Sequence, residues 1–323
     1  MKNETITVGK NVIDLQIKAL KKLRNTIDGS FDTAVNIITK CQSKIIICGV
    51  GKSGIIASKI SATLSSTGTP SFAISASDCS HGDLGRITKK DVLILISNSG
   101  NTNELKNIIK FAKSYKIYLI GIVSNKNSIL YREANISLNL PNVEESGHGI
   151  VPTSSTTTQL CIGDALAIAL MRRKKFGILD FKKYHPLGVL GHKLKTAGDL
   201  MITKGKIPFI NENKTIKFGI KVINLKKLGF LVVTNDKGLT KGVFTDGDLK
   251  RLVRKKQNID KLIIKNYMSK KPFVVEENTL ASRTLSLMNK KKITHVCVYN
   301  KKNKEKTIGV IHIHDLINGL RLM

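Results

Sequence analysis

The stretch Lys44-Ile45-Ile46-Ile47-Cys48-Gly49-Val50-Gly51-Lys52-Ser53-Gly54 decides how the first half of the chain is read. A short apolar run closing in glycine spells a strand buried on both faces, as in a parallel sheet. Glycines at 49, 51 and 54 satisfy G-x-G-x-x-G between that strand and the helix expected over residues 53–66. The pattern raises a dinucleotide site, which also wants an acid about 20 residues on, at the end of the second strand. Asp78 is the candidate there, and it lies several residues beyond that strand. A Walker loop is excluded, because its first glycine would stand at Ile46. Two readings stay open: a tight strand-to-helix turn, or an anion site at the helix N-terminus with Lys52 inside the turn.

Working outward, strands are expected at residues 71–74, 91–97, 117–123 and near 136–140. Helices are expected over 102–115 and 160–170, and apolar positions recur at helical spacing between residues 12 and 40. Strands alternating with helices imply a parallel sheet covered on both faces, with ligands at the carboxyl ends of its strands. Ser97-Asn98-Ser99-Gly100-Asn101-Thr102-Asn103-Glu104 follows the third strand and opens a helix. Hydroxyls at 97, 99 and 102, with backbone N–H groups, can cradle a phosphate without a lysine. Ordinary capping accounts for one such residue, not for eight small or polar ones in a row. Pro152-Thr153-Ser154-Ser155-Thr156-Thr157-Thr158 precedes a further apolar helix. Three hydroxyl-rich loops at one sheet end favour a phosphorylated small molecule over a dinucleotide.

The last third repeats itself. Asp199-Leu200-Met201 is echoed by Asn266-Tyr267-Met268, and Gly242–Leu249 by Gly309–Leu316, both at an offset of 67. Each copy reads strand, helix, strand, turn, strand, helix. The chain of 323 residues is therefore one sheet domain over residues 1–195, then two small α/β copies over 196–258 and 262–323.

Composition removes several classes of function. Lys and Arg number 54 against 23 Asp and Glu, a net charge of +31. The lysines are spread along the whole chain and no basic recognition helix is evident, so a solvated basic surface is expected rather than a nucleic-acid site. Tryptophan is absent and aromatics are 5%, which leaves no stacking platform for single strands. The first ten residues are polar, and no run of about 18 uncharged apolar residues occurs. Five cysteines without C-x-x-C spacing argue against a disulfide framework. The expectation is a soluble cytoplasmic protein with no membrane partner.

The ordered set of motifs carries a resemblance. Gly49–Gly54, Ser66-Thr67-Gly68-Thr69-Pro70-Ser71, His81-Gly82-Asp83-Leu84-Gly85, Ile96–Gly100, Pro152–Thr157, Gly163-Asp164-Ala165-Leu166-Ala167 and His185-Pro186 together resemble the arabinose-5-phosphate isomerases. Those are sugar-isomerase (SIS) domain proteins with two CBS domains, and the 67-residue copies fit that second part. The resemblance implies an α/β fold: a flavodoxin-like parallel-sheet sandwich with helices on both faces, followed by a tandem CBS pair. It implies a homotetramer that interconverts D-ribulose 5-phosphate and D-arabinose 5-phosphate through an enediol, supplying Kdo for lipopolysaccharide biosynthesis. No cofactor and no metal are implied. A different phosphosugar, or a phosphosugar-sensing module without turnover, would use the same loops.

By similarity, Lys52, Glu104, a glutamate at 144 or 145, and His185 match the family's four functional side chains. Counting back from Pro152 selects Glu144, whereas pairing Glu with Ser selects Glu145. Substrate contacts implied are Gly51, Ser53, Gly68, Thr69, His81, Ser97, Asn98, Ser99, Thr102, Thr153, Ser154 and Ser155. In the copies, Thr245 with Asp248, and Asp315 beside His312, occupy the turn where CBS domains bind an adenine nucleotide or a sugar nucleotide. The chain departs from the family at Ser75–His81, which lacks a leading histidine and with it a metal-binding contact.

The charge reading has a direct check. Random duplex DNA is expected to bind weakly and to be released at physiological salt. Submicromolar, salt-resistant binding would reverse it.

Overall fold

The computed structural model describes residues 2–186, 188–254 and 258–320, in two compact units, Met1–Tyr184 and His185–Met323. In the first unit, helices α1 (Lys2–Arg24) and α2 (Gly29–Thr39) lead into β1 (Ile45–Gly49) and α3 (Lys52–Ser66). Then come β2 (Ser71–Ser75), the one-turn α4 (Ala76–Cys79), β3 (Val92–Ser97), α5 (Asn103–Ser114), β4 (Tyr118–Val123) and α6 (Ile129–Glu133). The unit closes with β5 (Ile136–Asn139), the short α7 (Gly147–Ile150), α8 (Ser154–Arg173) and α9 (Ile178–Tyr184). The five strands are parallel in the order β2-β1-β3-β4-β5.

Every residue of β1 and β3 is buried, which is why both read as unbroken apolar runs. Alternation along the strands divides the core in two. Ile45, Ile47, Ile94 and Ile96 meet α2, α3 and α8 on one face, through residues such as Ile38, Leu64 and Leu166. Ile46, Cys48, Leu93 and Leu95 meet α5 and α6 on the other, through Leu105, Ile109 and Leu130. The chain starts β3 from Asp91, whose buried carboxylate accepts from Thr88 N at 2.7 Å and from Lys44 N and Nζ at 3.3 Å.

The G-x-G-x-x-G turn answers to packing. A Cβ on Gly49 would stand 2.7 Å from the Ser53 carbonyl carbon, and one on Gly54 2.9 Å from the Gly49 oxygen. Strand end and helix start thus touch backbone to backbone, which only glycine permits at both positions.

The second unit carries α10 (Gly188–Lys193), α11 (Ala197–Leu200) and β6 (Ile202–Thr203) ahead of the two copies. The first copy is β7 (Phe209–Asn211), α12 (Ile216–Lys226), β8 (Phe230–Thr234), β9 (Thr240–Thr245) and α13 (Asp246–Arg254). The second is β10 (Val274–Glu276), α14 (Ala281–Lys291), β11 (His295–Asn300), β12 (Asn303–His312) and α15 (Ile313–Leu320). Within each, the first two strands pair parallel and the last two antiparallel.

The offset of 67 reappears as symmetry. β6, ahead of the first copy, pairs with β12 of the second through Thr203↔Gly309 and Ile202↔Val310. Ser269, ahead of the second, bridges Val243 in β9 of the first. Met201 lies against Gly309 and Met268 against Gly242, so each glycine makes room for the other copy's methionine. Thr240 and Thr307, also 67 apart, join hydroxyls at 2.8 Å where the copies meet. Ile207, Phe230, Val232, Cys297 and Val310 form a core common to both.

Alanine at Gly49 tests the crossing of β1 and α3. Gly49→Ala should cost about 1–3 kcal/mol in urea unfolding, the usual penalty of overpacking. Gly85→Ala, which meets nothing within 4 Å, should leave the midpoint in place. Equal midpoints for the two variants would mean the crossing is not tight.

Candidate functional site

The chain leaves β1 for β2 on one side and comes back to β3 on the other. The carboxyl ends of β1 and β3 therefore flank the switch point of the sheet, the place where sheets of this kind have their ligand crevice. Two loops border it. Gly51 precedes α3 with φ +56° and no side-chain cap, and Lys52, the first helical residue, is exposed beside Ser53. In the other loop, Ser97 is buried and its Oγ lies 2.9 Å from Thr102 Oγ1 while accepting from Gly100 N at 3.0 Å. Asn98 and Ser99 stand exposed at its tip. Glu104 sits exposed on the first turn of α5.

This second loop is braced from behind. Gly100, at φ +68°, packs so closely on Ser128 that a Cβ there would collide with its Oγ. Gly100 O accepts from Leu130 N at 3.1 Å, and Asn101 Oδ1 accepts from Ile129 N at 3.0 Å. Ser128, fully buried at the start of α6, is a support that sequence reasoning missed. Its only local signal is that of an ordinary N-cap.

α8 brings a third helix start to the same end. Two of its contacts with α3 and the chain just after it advance together: Lys59 pairs with Asp164, where Ile60 also packs on Gly163, and ten residues on along both, Lys174 Nζ donates to Thr69 Oγ1 at 2.9 Å beyond the end of α3. The two helices thus run parallel, and Thr153, Ser154 and Ser155 fall at the end where Lys52 lies. Glu145 occupies that helix start. Its Oε2 accepts from Thr153 N at 2.7 Å, Ser154 N at 2.8 Å and Thr153 Oγ1 at 3.1 Å, and its Oε1 from Ser155 N at 3.2 Å. Burial pushes this carboxyl up, but the hydrogen bonds from Ser155 and Thr153 outweigh it and hold the group below its usual range. Glu144 turns elsewhere: it is exposed and borders a shallow hollow with Leu15, Lys18 and Lys22 of α1. The adjacent glutamates, which counting leaves as alternatives, are thereby separated.

His81 follows α4 beyond the carboxyl end of β2 and is exposed, again at the crevice end of the sheet. Gly68 and Thr69 lie at the amino end of the sheet, beside Pro70, whose carbonyl accepts from Ile45 N. Gly68 packs under the Phe176 ring and Thr69 is buried against Lys174, so both serve the join of α3 to the chain after α8. His185 belongs to the second unit and is half-buried, with Gly191 close against its carbonyl.

The second unit has a cleft of about 1050 Å³ bordered by Thr245, Asp248, His295, His312 and Asp315. Thr245 donates to Asp248 Oδ2 from both N and Oγ1 at 2.8 Å. The His295 ring lies 4.2 Å from that of Phe230 and 4.6 Å from that of His312. Burial, with the neighbouring His312 charge, lowers the His295 pKa to about 4, so it is neutral at pH 7. Among the described residues, no three of His, Cys, Asp and Glu converge in a way that could hold a metal ion. No described helix is long and apolar enough to cross a membrane.

Comparison with known proteins places this geometry. The SIS domain family matches residues 37–169 and the CBS domain family residues 264–322. Arabinose 5-phosphate isomerase KdsD of Francisella tularensis is 40% identical over 308 residues, 94% of this chain and 93% of that protein. The chain belongs to the arabinose 5-phosphate isomerase family. The family's KdsD of Yersinia pestis is 38% identical, over 96% of this chain and 94% of that one. Among solved structures, the E. coli CFT073 protein c3406 in complex with arabinose 5-phosphate superposes with a TM-score of 0.56 at 38% identity, covering 58% of this chain and all of that one. Its match bears on the five-stranded sheet and its helices, which this family member shares.

The Glu145 hydrogen bonds give a pH signature. A carboxyl held below its unfolded pKa adds stability above that value and loses it as pH falls through the folded one. Glu145→Gln should therefore lower Tm at pH 7, with the gap to the parent closing as pH drops below the ordinary carboxylate range. A gap that is constant with pH would mean that the charge at 145 contributes nothing.

Proposed function

We propose that this protein interconverts D-arabinose 5-phosphate and D-ribulose 5-phosphate through an enediol. The observation that carries the proposal is the relation to KdsD proteins across nearly the full chain. The loops supply the chemistry such a substrate needs. Its phosphate would sit in the Ser97–Thr102 loop, against the start of α5, with Asn98, Ser99 and Ser53 near it. Lys52 would neutralise the phosphate or the developing enediolate, next to Gly51.

The reaction removes the proton at C2 of the aldose, forms the 1,2-enediol and returns a proton to C1, which needs one base acting at neighbouring carbons. Glu104 suits this role because its carboxylate is exposed on the turn beside the hydroxyl loop. Glu145 has its oxygens engaged at the α8 start, so in this proposal it orders Thr153, Ser154 and Ser155 rather than accepting the carbon proton. Glu144 has no part. His81 contacts the substrate, and His185 serves ring opening or proton transfer, as the resemblance implies. In the same reading the isomerase domain spans residues 1–195, and the copies at 196–258 and 262–323 are CBS domains whose cleft takes a nucleotide through Thr245, Asp248 and Asp315. The protein acts in the cytoplasm as a homotetramer, upstream of Kdo and lipopolysaccharide synthesis.

The test is product identity on a panel of phosphosugars, with Glu104→Gln and Glu145→Gln compared at saturating substrate. Arabinose 5-phosphate deuterated at C2 should lose part of its label to water. Glu104→Gln should lose about 10² to 10⁴-fold in kcat while still binding substrate, and Glu145→Gln should lose less. Complete label retention would remove the enediol route, and a near-normal Glu104→Gln would move the base elsewhere.

A further inference from the structure

The repeat supplies an internal comparison for the cleft of the second unit, whose rim both copies share. In the first copy Phe230 of β8 stands opposite Thr245 of β9; in the second, His295 of β11 stands opposite His312 of β12. Two residues further on, Gly247 of the first copy answers to His314 of the second. The same three places thus hold Phe, Thr and Gly in one copy and imidazoles in the other. These imidazoles form a row leading outward. The His295 ring lies 4.2 Å from buried Phe230, half-buried His312 4.6 Å from His295, and exposed His314 4.9 Å from His312.

The two turns are also closed differently. Thr245 donates to Asp248, whose other oxygen pairs with Arg251. His312 has no hydroxyl to donate, and its Nδ1 accepts from His314 N at 3.2 Å. A backbone N–H only donates, so the neutral His312 ring carries its proton on Nε2, and a second proton at Nδ1 must displace that contact. Burial and the His314 charge hold the His312 pKa below its ordinary value, against the pull of Asp315. The charged groups on the cleft favour an anion. Lys227 and Lys292 cap the ends of α12 and α14 at matching places, and Lys271 borders the second copy's side. With Asp248 paired to Arg251, these three lysines meet Asp246 and Asp315 as the remaining carboxylates among the described lining residues. Cys297 stays a thiol, because burial pushes it up to about 12.

We propose that this cleft takes a phosphate-bearing ligand on the second copy's side and that His312 takes up a proton as the ligand binds, so that affinity rises as pH falls. The proposal deepens the nucleotide reading of the cleft and rests on it for the base, while the proton linkage needs the phosphate alone. An anion beside an imidazole favours the charged ring and raises its pKa. The bound state then holds more protons than the free one, and by linkage binding strengthens as pH drops through the interval between the free and bound values. The proton comes from solvent to His312 Nδ1 and ends the contact with His314 N. Thr245, at the same place in the first copy, has no such response.

The full-length protein is titrated calorimetrically with AMP, adenosine and inorganic phosphate from about pH 8 to about pH 5.5, the range in which histidine changes charge. Buffers of different ionisation heat report proton uptake alongside affinity. His312→Thr and His295→Phe each place the first copy's residue in the second, and a probe's own titration cancels between variant and parent. A rise of about one pKa unit on binding makes the parent's gain in AMP affinity across this range about tenfold larger than that of His312→Thr. The parent should also take up a proton that His312→Thr does not, and His295→Phe should keep both effects. Adenosine should show no such gain. Equal pH dependence for AMP in the parent and His312→Thr overturns the proposal and leaves the nucleotide reading in place. Dependence lost in His295→Phe but kept in His312→Thr puts the proton on His295 and overturns the assignment, and the same gain for adenosine overturns the role of the phosphate. If AMP fails to bind while inorganic phosphate shows the linkage, the nucleotide reading fails and the proposal stands. Binding of no probe at any pH overturns both.

Discussion

The contact on which the first unit depends is the meeting of bare backbone at Gly49 and Gly54. It lets α3 start within van der Waals distance of the end of β1, at the place where the chain's course through the sheet changes direction. Any side chain at 49 would press on the Ser53 carbonyl and push the helix start, with Lys52 on it, away from the crevice. The rest of the crevice is arranged by similar close approaches: Gly100 against Ser128 fixes the hydroxyl loop, and Lys59 with Asp164 keeps α8 in step with α3. What looks like a ligand fingerprint is first a solution to packing, and its chemistry follows from where that packing leaves the helix starts.

The strands were legible in the sequence because β1 and β3, buried on both faces, have no polar alternation to confuse them. The start of α8 was harder. The apolar pattern starts only at Leu160, whereas the helix begins at Ser154, because Glu145, eight residues before Thr153, satisfies its first N–H groups. A cap supplied from outside the helix leaves no pattern at the helix itself. Gly68 and Thr69 have partners that lie out of local reach. Their small, polar character suits a ligand loop, yet their partners are Phe176 and Lys174, more than a hundred residues on, which no local window can see.

The two glutamates show where sequence counting ends and geometry begins. Neighbours in a chain without regular structure point in different directions, so motif spacing alone gives them equal claims. Three-dimensional context divides them by what each faces: backbone N–H groups for Glu145, an exposed hollow bordered by α1 for Glu144.

The interlocking of the two copies carries a consequence for how such a protein can change. Because β6 completes the second sheet and Ser269 extends the first, neither half is a finished object. A copy released from its sibling would bare the edge of its last strand, a template for pairing with any like strand. The duplicated halves are thus bound to drift together. A larger residue at Gly242 requires a smaller one at Met268, and the mirror pair Gly309 and Met201 obeys the same rule on its own. Divergence between the halves is free on their outer helices and constrained at the seam, where the ancestral twofold is preserved as a matter of sterics.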